Sequence, residues 1–123
     1  MLIAQGHFEG RNGHSLAGTF RIEQEADGET WLTTSDDFHF DGSPAPGFAI
    51  SVSGDLTAAE AVATDFLRLP GTGNGFGAQI EVRGVQRGRI PGGAALAGAG
   101  AGAVFLWCFL FPSVLGVGVI EHV

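Results

Sequence analysis

Lysine is absent from this sequence, and six arginines supply all of its side-chain positive charge apart from histidine. The absence removes two chemistries at once: the phosphate-binding lysine of a P-loop and the amine of a Schiff base. Charged residues make up only 15% of the chain, and 13 acids against six arginines give a formal charge of −7. Nucleic acid is bound through neutralisation of its phosphates, so this balance argues against a nucleic-acid partner. A single cysteine, Cys108, excludes a disulfide within these residues, and the fold must hold by packing. At the amino terminus, Met1–Gly6 shows no basic region followed by an apolar run and a cleavage site. The cytoplasm is therefore the default location, and the periplasm is the alternative if an export signal has been removed.

What is present points to a packed domain. The 123 residues fit one domain, 1–123, and 45% of them are hydrophobic, with 10 phenylalanines and 21 glycines. That hydrophobicity excludes a disordered chain. Charge is unevenly placed: residues 1–65 hold 11 acids and two arginines (−9), and residues 66–123 hold two acids and four arginines (+2). An asymmetry this mild reads as a solvated side.

Glycine and proline interrupt the chain every few residues, and between them the hydrophobic pattern has period two. Leu16, Gly18, Phe20 and Ile22 alternate with Thr19, Arg21 and Glu23, and an Asp27-Gly28 turn leads into Thr30–Thr34, which predicts a hairpin. Phe48–Ser53, Asp65–Leu69 and Ala78–Val85 read as further strands, the last with Ile80 and Val82 on one face. Leu56–Ala63 is the segment most compatible with a short helical turn. From Gly92 to Ile120 no residue is charged, long enough for a membrane span. The alternating Ala97–Ala103 run, Pro112 and the acidic flank at Glu121 disfavour such a helix, and two buried strands joined at Pro112-Ser113 fit better. The fold expected is all-β: a β-sandwich or partly closed barrel of about seven to nine short antiparallel strands. Trp107 and Cys108 stand on a central strand whose apolar residues face both ways and so need cover on both sides.

Most candidate constellations carry little chemistry. Gly71–Gly77 is glycine-rich like a dinucleotide loop, but a strand rather than a helix follows it, so it reads as a hairpin connection. Asp37, His39 and Asp41 alternate, which in an extended backbone puts all three on one face as weak candidate metal ligands, with Phe38 and Phe40 behind them. Apolar residues stand where a calcium loop needs oxygens. His7 and His14 flank a Gly10–Gly13 turn that could bring them close. No serine occupies a nucleophile elbow. Cys108 lies among Phe105, Leu106, Trp107, Phe109, Leu110 and Phe111, surroundings that suit a small buried hydrophobe.

Two segments resemble the DM-thirteen domain family. Gly6-His7-Phe8 followed by His14–Ile22 is similar to the family's opening, Asp37-Phe38 to its Asn- or Asp-Phe pair, and Gly42–Gly47 to its Gly-Pro loop. Val104–Phe111 resembles the strand with an aromatic-cysteine pair, and Val114–Ile120 its last strand. The likeness runs from Gly6 to Ile120, although the tyrosines common in the family's middle strands are missing here. It implies an all-β domain working in electron transfer, with Cys108 as the candidate redox group, His14 as its candidate neighbour, Trp107 as a ligand contact, and a redox protein as a partner. No cofactor is evident. One thiol needs a second sulfur, a sulfenic acid step or a bound group to cycle. The competing expectation is a non-enzymatic binding module that uses the acidic 36–47 loop. Oligomeric state is open.

Overall fold

The computed structural model describes residues 1–51, 63–75, 78–92, 102–110 and 113–123, and the expected helical turn at Leu56–Ala63 lies outside them but for Ala63, which opens a strand. Twelve strands follow in order: β1 (Leu2–Gly10), β2 (Leu16–Ala17), β3 (Thr19–Gln24), β4 (Thr30–Thr34), β5 (His39–Phe40), β6 (Pro46–Ser51), β7 (Ala63–Arg68), β8 (Val82–Arg83), β9 (Arg87–Arg89), β10 (Ala103–Cys108), β11 (Ser113–Val119) and β12 (Glu121–His122). Eight of them form one antiparallel sheet in the order β7-β6-β10-β11-β1-β3-β4-β9, and β12 pairs with the first half of β1. The sheet curls until its end strands meet: a methyl on Gly88 of β9 would lie 2.9 Å from Leu67 Cβ of β7. The result is a nearly closed barrel, so of the two all-β architectures expected, the barrel is the one formed. A small sheet, β2-β5-β8, packs against it through Leu16, Phe40 and Val82.

The hairpin read around Asp27-Gly28 is β3–β4, with Ile22 opposite Leu32 and Gly28 at φ 87°. Its first strand is shorter than the alternation suggests. Gly18, at φ 112°, breaks the run, so that Leu16-Ala17 joins the small sheet while Thr19–Gln24 joins the barrel. Phe20 and Ile22 still point inward, since the break falls outside their alternation. The charge-free stretch also forms strands. β10 and β11 pair over their full lengths, and no helix among the described residues is long and apolar enough to cross a membrane.

One expected strand and one expected connection change. Ala78–Val85 contributes only Val82-Arg83, and Ile80 is exposed. The two residues that do pair are those facing β5, where Val82 enters the core beside Phe40. Gly71–Gly77 is likewise not a hairpin connection: β7 before it pairs with β6, and β8 after it pairs with β5. The glycines instead let the chain lie against the Gly42–Pro46 loop, where Gly73 N–H donates to the Pro44 carbonyl and a methyl on Gly71 would meet that same oxygen.

Phenylalanine rings fill the barrel. Phe8 contacts Phe20, Phe38 and Phe48 at centroid distances of 5.0, 5.6 and 5.5 Å, and Phe66 stacks on Phe48 from the rim. Each buried ring contributes about 1.5–3 kcal/mol through area removed from water. β10 is covered on both faces as its sequence requires: Val104, Leu106 and Cys108 enter the main core, and Ala103, Phe105 and Trp107 enter a second apolar cluster with Val114 and Val117.

Gly18→Ala is expected to destabilise the fold by about 1–3 kcal/mol, because strain at positive φ is joined by crowding. A methyl there meets Phe38 Cα and Ser35 Oγ at 3.0 Å, whereas one on Gly28, at a similar φ, meets nothing within 4 Å. Gly28→Ala should therefore cost only about 1 kcal/mol. Urea unfolding of both variants compares them, and equal midpoints would mean that Gly18 is needed for its backbone conformation alone.

Candidate functional site

Cys108 is the last residue of β10, flanked by Pro46 of β6 and Ser113 of β11. Its side chain belongs to the core and is 3% exposed, as the apolar neighbours in sequence suggest. The barrel is not filled to its end at this point. A cavity of about 240 Å³ remains, walled by Cys108, Pro44, Leu115 and Gly42 and carrying the polar side chains of His14, Ser43, Gln79 and Ser113.

Three segments place those groups. After β1 the chain makes a left-handed turn at Asn12 (φ 54°) and Gly13 (φ 84°), tied to β11 by Arg11 N–H donating to the Leu115 carbonyl and Asn12 Nδ2 to that of Val114. This anchors His14. After β5, Gly42 takes φ 111° against Gln79 and Ile80 and turns the chain inward, which carries Ser43 into the protein. The loop is then held by Phe109 N–H on the Ala45 carbonyl and Leu69 N–H on that of Pro46.

The polar groups are organised around Asp41. One carboxylate oxygen accepts the Ser15 backbone N–H at 3.0 Å, and the other is 2.9 Å from His14 Nδ1. Burial raises the Asp41 carboxyl, but the Ser15 N–H and the hydrogen bond and charge of His14 together outweigh it, leaving it below the ordinary aspartate value. An ionised carboxylate only accepts, so His14 Nδ1 carries the proton, and in the neutral ring Nε2 is the basic nitrogen. The ring rests on Phe40 at 5.5 Å between centroids. Ser43 is 2% exposed, and among the described residues its hydroxyl has no hydrogen-bond partner, a state it shares with Thr30 Oγ1 and Trp31 Nε1. A buried hydroxyl left unpaired costs about 1–3 kcal/mol.

The residues read from sequence divide accordingly. His14 and Cys108 line the same cavity. Trp107 does not: strand alternation turns it to the opposite face of β10, so it is no ligand contact for the Cys108 cavity. His7 and His14 are also apart, since His7 stands exposed on β1 beside Glu9, Val117 and Val119. Asp37, His39 and Asp41 do not share one site. Asp36-Asp37 is a turn rather than extended chain, Asp37 accepts from Ser35, His39 Nε2 faces Glu81 at 3.6 Å, and Asp41 holds His14. No group of three or more His, Cys, Asp or Glu able to hold a metal occurs among the described residues. Phe38 and Phe40 are buried behind them as expected. Sequence reasoning missed Asp41 as the partner of His14, and missed Ser43, Gln79 and Ser113 altogether. The 27-residue separation of His14 and Asp41 is closed only by the β2–β5 pairing, which two-residue strands do not announce.

Two larger grooves lie on the surface. One, of about 340 Å³, is walled by β1, β3 and Glu121, and the other, of about 510 Å³, follows the β7–β9 edge, where Arg87 covers the Trp31 ring at 3.8 Å. Neither holds the thiol. Comparison with known protein families, with curated proteins and with solved structures found no match to this chain.

Asp41→Asn should destabilise the protein by about 1 kcal/mol at pH 7, the worth of a partly exposed charge-assisted hydrogen bond. Because the folded-state value of Asp41 is depressed, its contribution is present above the ordinary carboxyl range and is lost as pH falls through the folded value. The gap between wild type and variant is therefore expected to narrow below about pH 4 in urea titrations. A gap constant from pH 7 to pH 3 would contradict the ionised Asp41–His14 pair.

Proposed function

We propose that this chain is a small all-β redox domain that works through Cys108, in the manner its resemblance to the DM-thirteen family implies, as an accessory to electron transfer. The observation that carries this reading is the shared cavity, which Cys108 and His14 line together. His14 is held by Asp41 with its Nδ1 proton engaged, the arrangement in which Nε2 serves as a proton acceptor. A thiol becomes a nucleophile as thiolate, so a nearby base is the chemistry that such a residue needs. With one cysteine among these residues, oxidation cannot end in an internal disulfide. The reading therefore requires that a second sulfur or a redox partner protein come from outside.

The competing reading, a binding module built on the acidic 36–47 loop, has less behind it. Asp37 and Asp41 of that loop are already bonded to Ser35, Ser15 and His14, and the chain from Gly42 to Ser43 and from Pro46 onward is buried.

The reactivity of Cys108 tests the proposal. Alkylation of the folded protein by iodoacetamide, followed against pH, is expected to plateau with a midpoint below the ordinary thiol value of about 8.5. His14→Ala is expected to move that midpoint upward. A thiol that reacts only on unfolding would make Cys108 a core residue and overturn the redox reading in favour of the binding module.

A further inference from the structure

We infer that the Asn12-Gly13 turn is a site of spontaneous deamidation, and that conversion of Asn12 to aspartate or isoaspartate frees the turn from β11. The inference is independent of the redox reading, since it uses no property of Cys108. Accessibility is the first argument. Asparagine loses ammonia through a cyclic imide, formed when the next residue's backbone nitrogen attacks the side-chain carbonyl carbon. A following glycine has no Cβ to shield that nitrogen. Asn12 and Gly13 are both exposed, and a methyl placed on Gly13 would meet nothing within 4 Å, so the pair stands open to solvent.

The second argument is what the amide holds. Asn12 and Gly13 lie at φ 54° and 84°, and His14 N–H donates to the Arg11 carbonyl at 3.1 Å, the pattern of a type I′ turn, for which Asn-Gly is a preferred pair. Asn12 is the one non-glycine residue at positive φ among the described residues. Its Nδ2 donates to the Val114 carbonyl at 2.7 Å, next to the bond from Arg11 N–H to the Leu115 carbonyl at 2.9 Å. An aspartate at position 12 has no such donor and sets an anion against the Val114 carbonyl, so the tie becomes a repulsion. Isoaspartate goes further, because its main chain runs through one extra carbon and the turn no longer closes on the same hydrogen bond. The residues on either side of this tie, His14 after the turn and Ser113 and Leu115 on β11, line the cavity at the end of the barrel.

The reaction needs only water. The Gly13 backbone nitrogen gives up its proton to solvent and bonds to Asn12 Cγ. The Cγ–Nδ2 bond breaks, and ammonia leaves with that electron pair and a proton from solvent. Water then opens the imide at one of its two carbonyls: addition at Cγ yields aspartate, and addition at the main-chain carbonyl yields isoaspartate. Ammonia departs from the very nitrogen that holds Val114, so the tie must open first, which slows the folded protein relative to the free chain.

Asn74 is also followed by glycine, and Asn74→Gln leaves Asn12 as the only asparagine. That protein, aged at neutral pH either folded or unfolded in urea, is digested with trypsin, which releases Asn12–Arg21 as one peptide. Its gain in mass and its separation into aspartate and isoaspartate forms report the conversion. The folded protein is expected to convert about five-fold more slowly than the unfolded chain, the factor that one hydrogen bond is worth. Asn12→Asp is expected to lower the urea midpoint and to shift the Val114 and Leu115 amide resonances, while those of the β3–β4 hairpin stay in place. A folded protein that keeps Asn12 intact while the unfolded chain converts fully overturns the inference. Equal rates in the two states overturn the guarding role of the Val114 bond. An Asn12→Asp spectrum unchanged at Val114 and Leu115 overturns the release from β11.

Discussion

Large rings seated on glycine are the constraint on which this barrel depends. Phe20 is buried beneath β1 and β11 because both strands present glycine where it lies: a methyl on Gly6 or on Gly118 would come within 2.6 Å of its ring. Leu16 sits on Gly116 in the same way, and Phe109 on Gly47. A closed sheet of short strands has a narrow interior, and filling it with phenylalanine is possible only where the facing residue gives up its side chain. That ties part of the chain's glycine content to its phenylalanines. Glycine's entropic cost in a strand, about 0.5–1 kcal/mol against alanine, is offset where it lets a ring bury fully.

The cavity at Cys108 follows from where that filling stops. Phe8, Phe38 and Phe48 occupy the middle of the barrel, and the cavity lies at the end where β10 finishes at Cys108. The loop Gly42–Pro46 borders the space with Gly42, Ser43 and the ring of Pro44. An apolar residue at position 43 would remove the unpaired hydroxyl and its desolvation cost. A buried serine hydroxyl without a partner among the described residues is a local conflict, and Thr30 on β4, away from the cavity, shows the same one.

Much of the fold was legible because it rests on period-two patterning, which the chain carries openly in Thr19–Ile22 and Phe48–Ile50. The paired strands either side of Pro112-Ser113 were legible from the absence of charge and the proline that divides the run. Strand breaks were not. Gly18 divides one alternating run between two sheets, a consequence of its backbone angle that the sequence pattern does not encode. Ala78–Val85 alternates as well as any strand, yet only two residues find a partner, since pairing is decided by what lies alongside. The site was half legible. Resemblance singled out His14 and Cys108, but Asp41 looked like a metal ligand because the alternation of Asp37, His39 and Asp41 assumes an extended chain where a turn stands.

The electrostatics constrain how a thiol here could be activated. With a formal charge of −7, the overall field of the chain disfavours one more anion, so any lowering of Cys108 must come from its immediate neighbours. His14 is the one cavity residue able to supply positive charge, yet Asp41 stands 2.9 Å behind it with an ionised carboxylate. A protonated His14 and ionised Asp41 form a pair of no net charge, which weakens its attraction for a thiolate. On the proposed reading, the arrangement leaves His14 Nε2 as the group that receives the Cys108 proton. On that account His14→Gln, which keeps a hydrogen-bonding side chain but removes the base, should lower the reaction rate of Cys108 nearly as much as His14→Ala, and measured alkylation rates for the two variants decide it. A His14→Gln protein that reacts as fast as wild type would assign His14 to positioning Asp41 and the loop rather than to moving a proton.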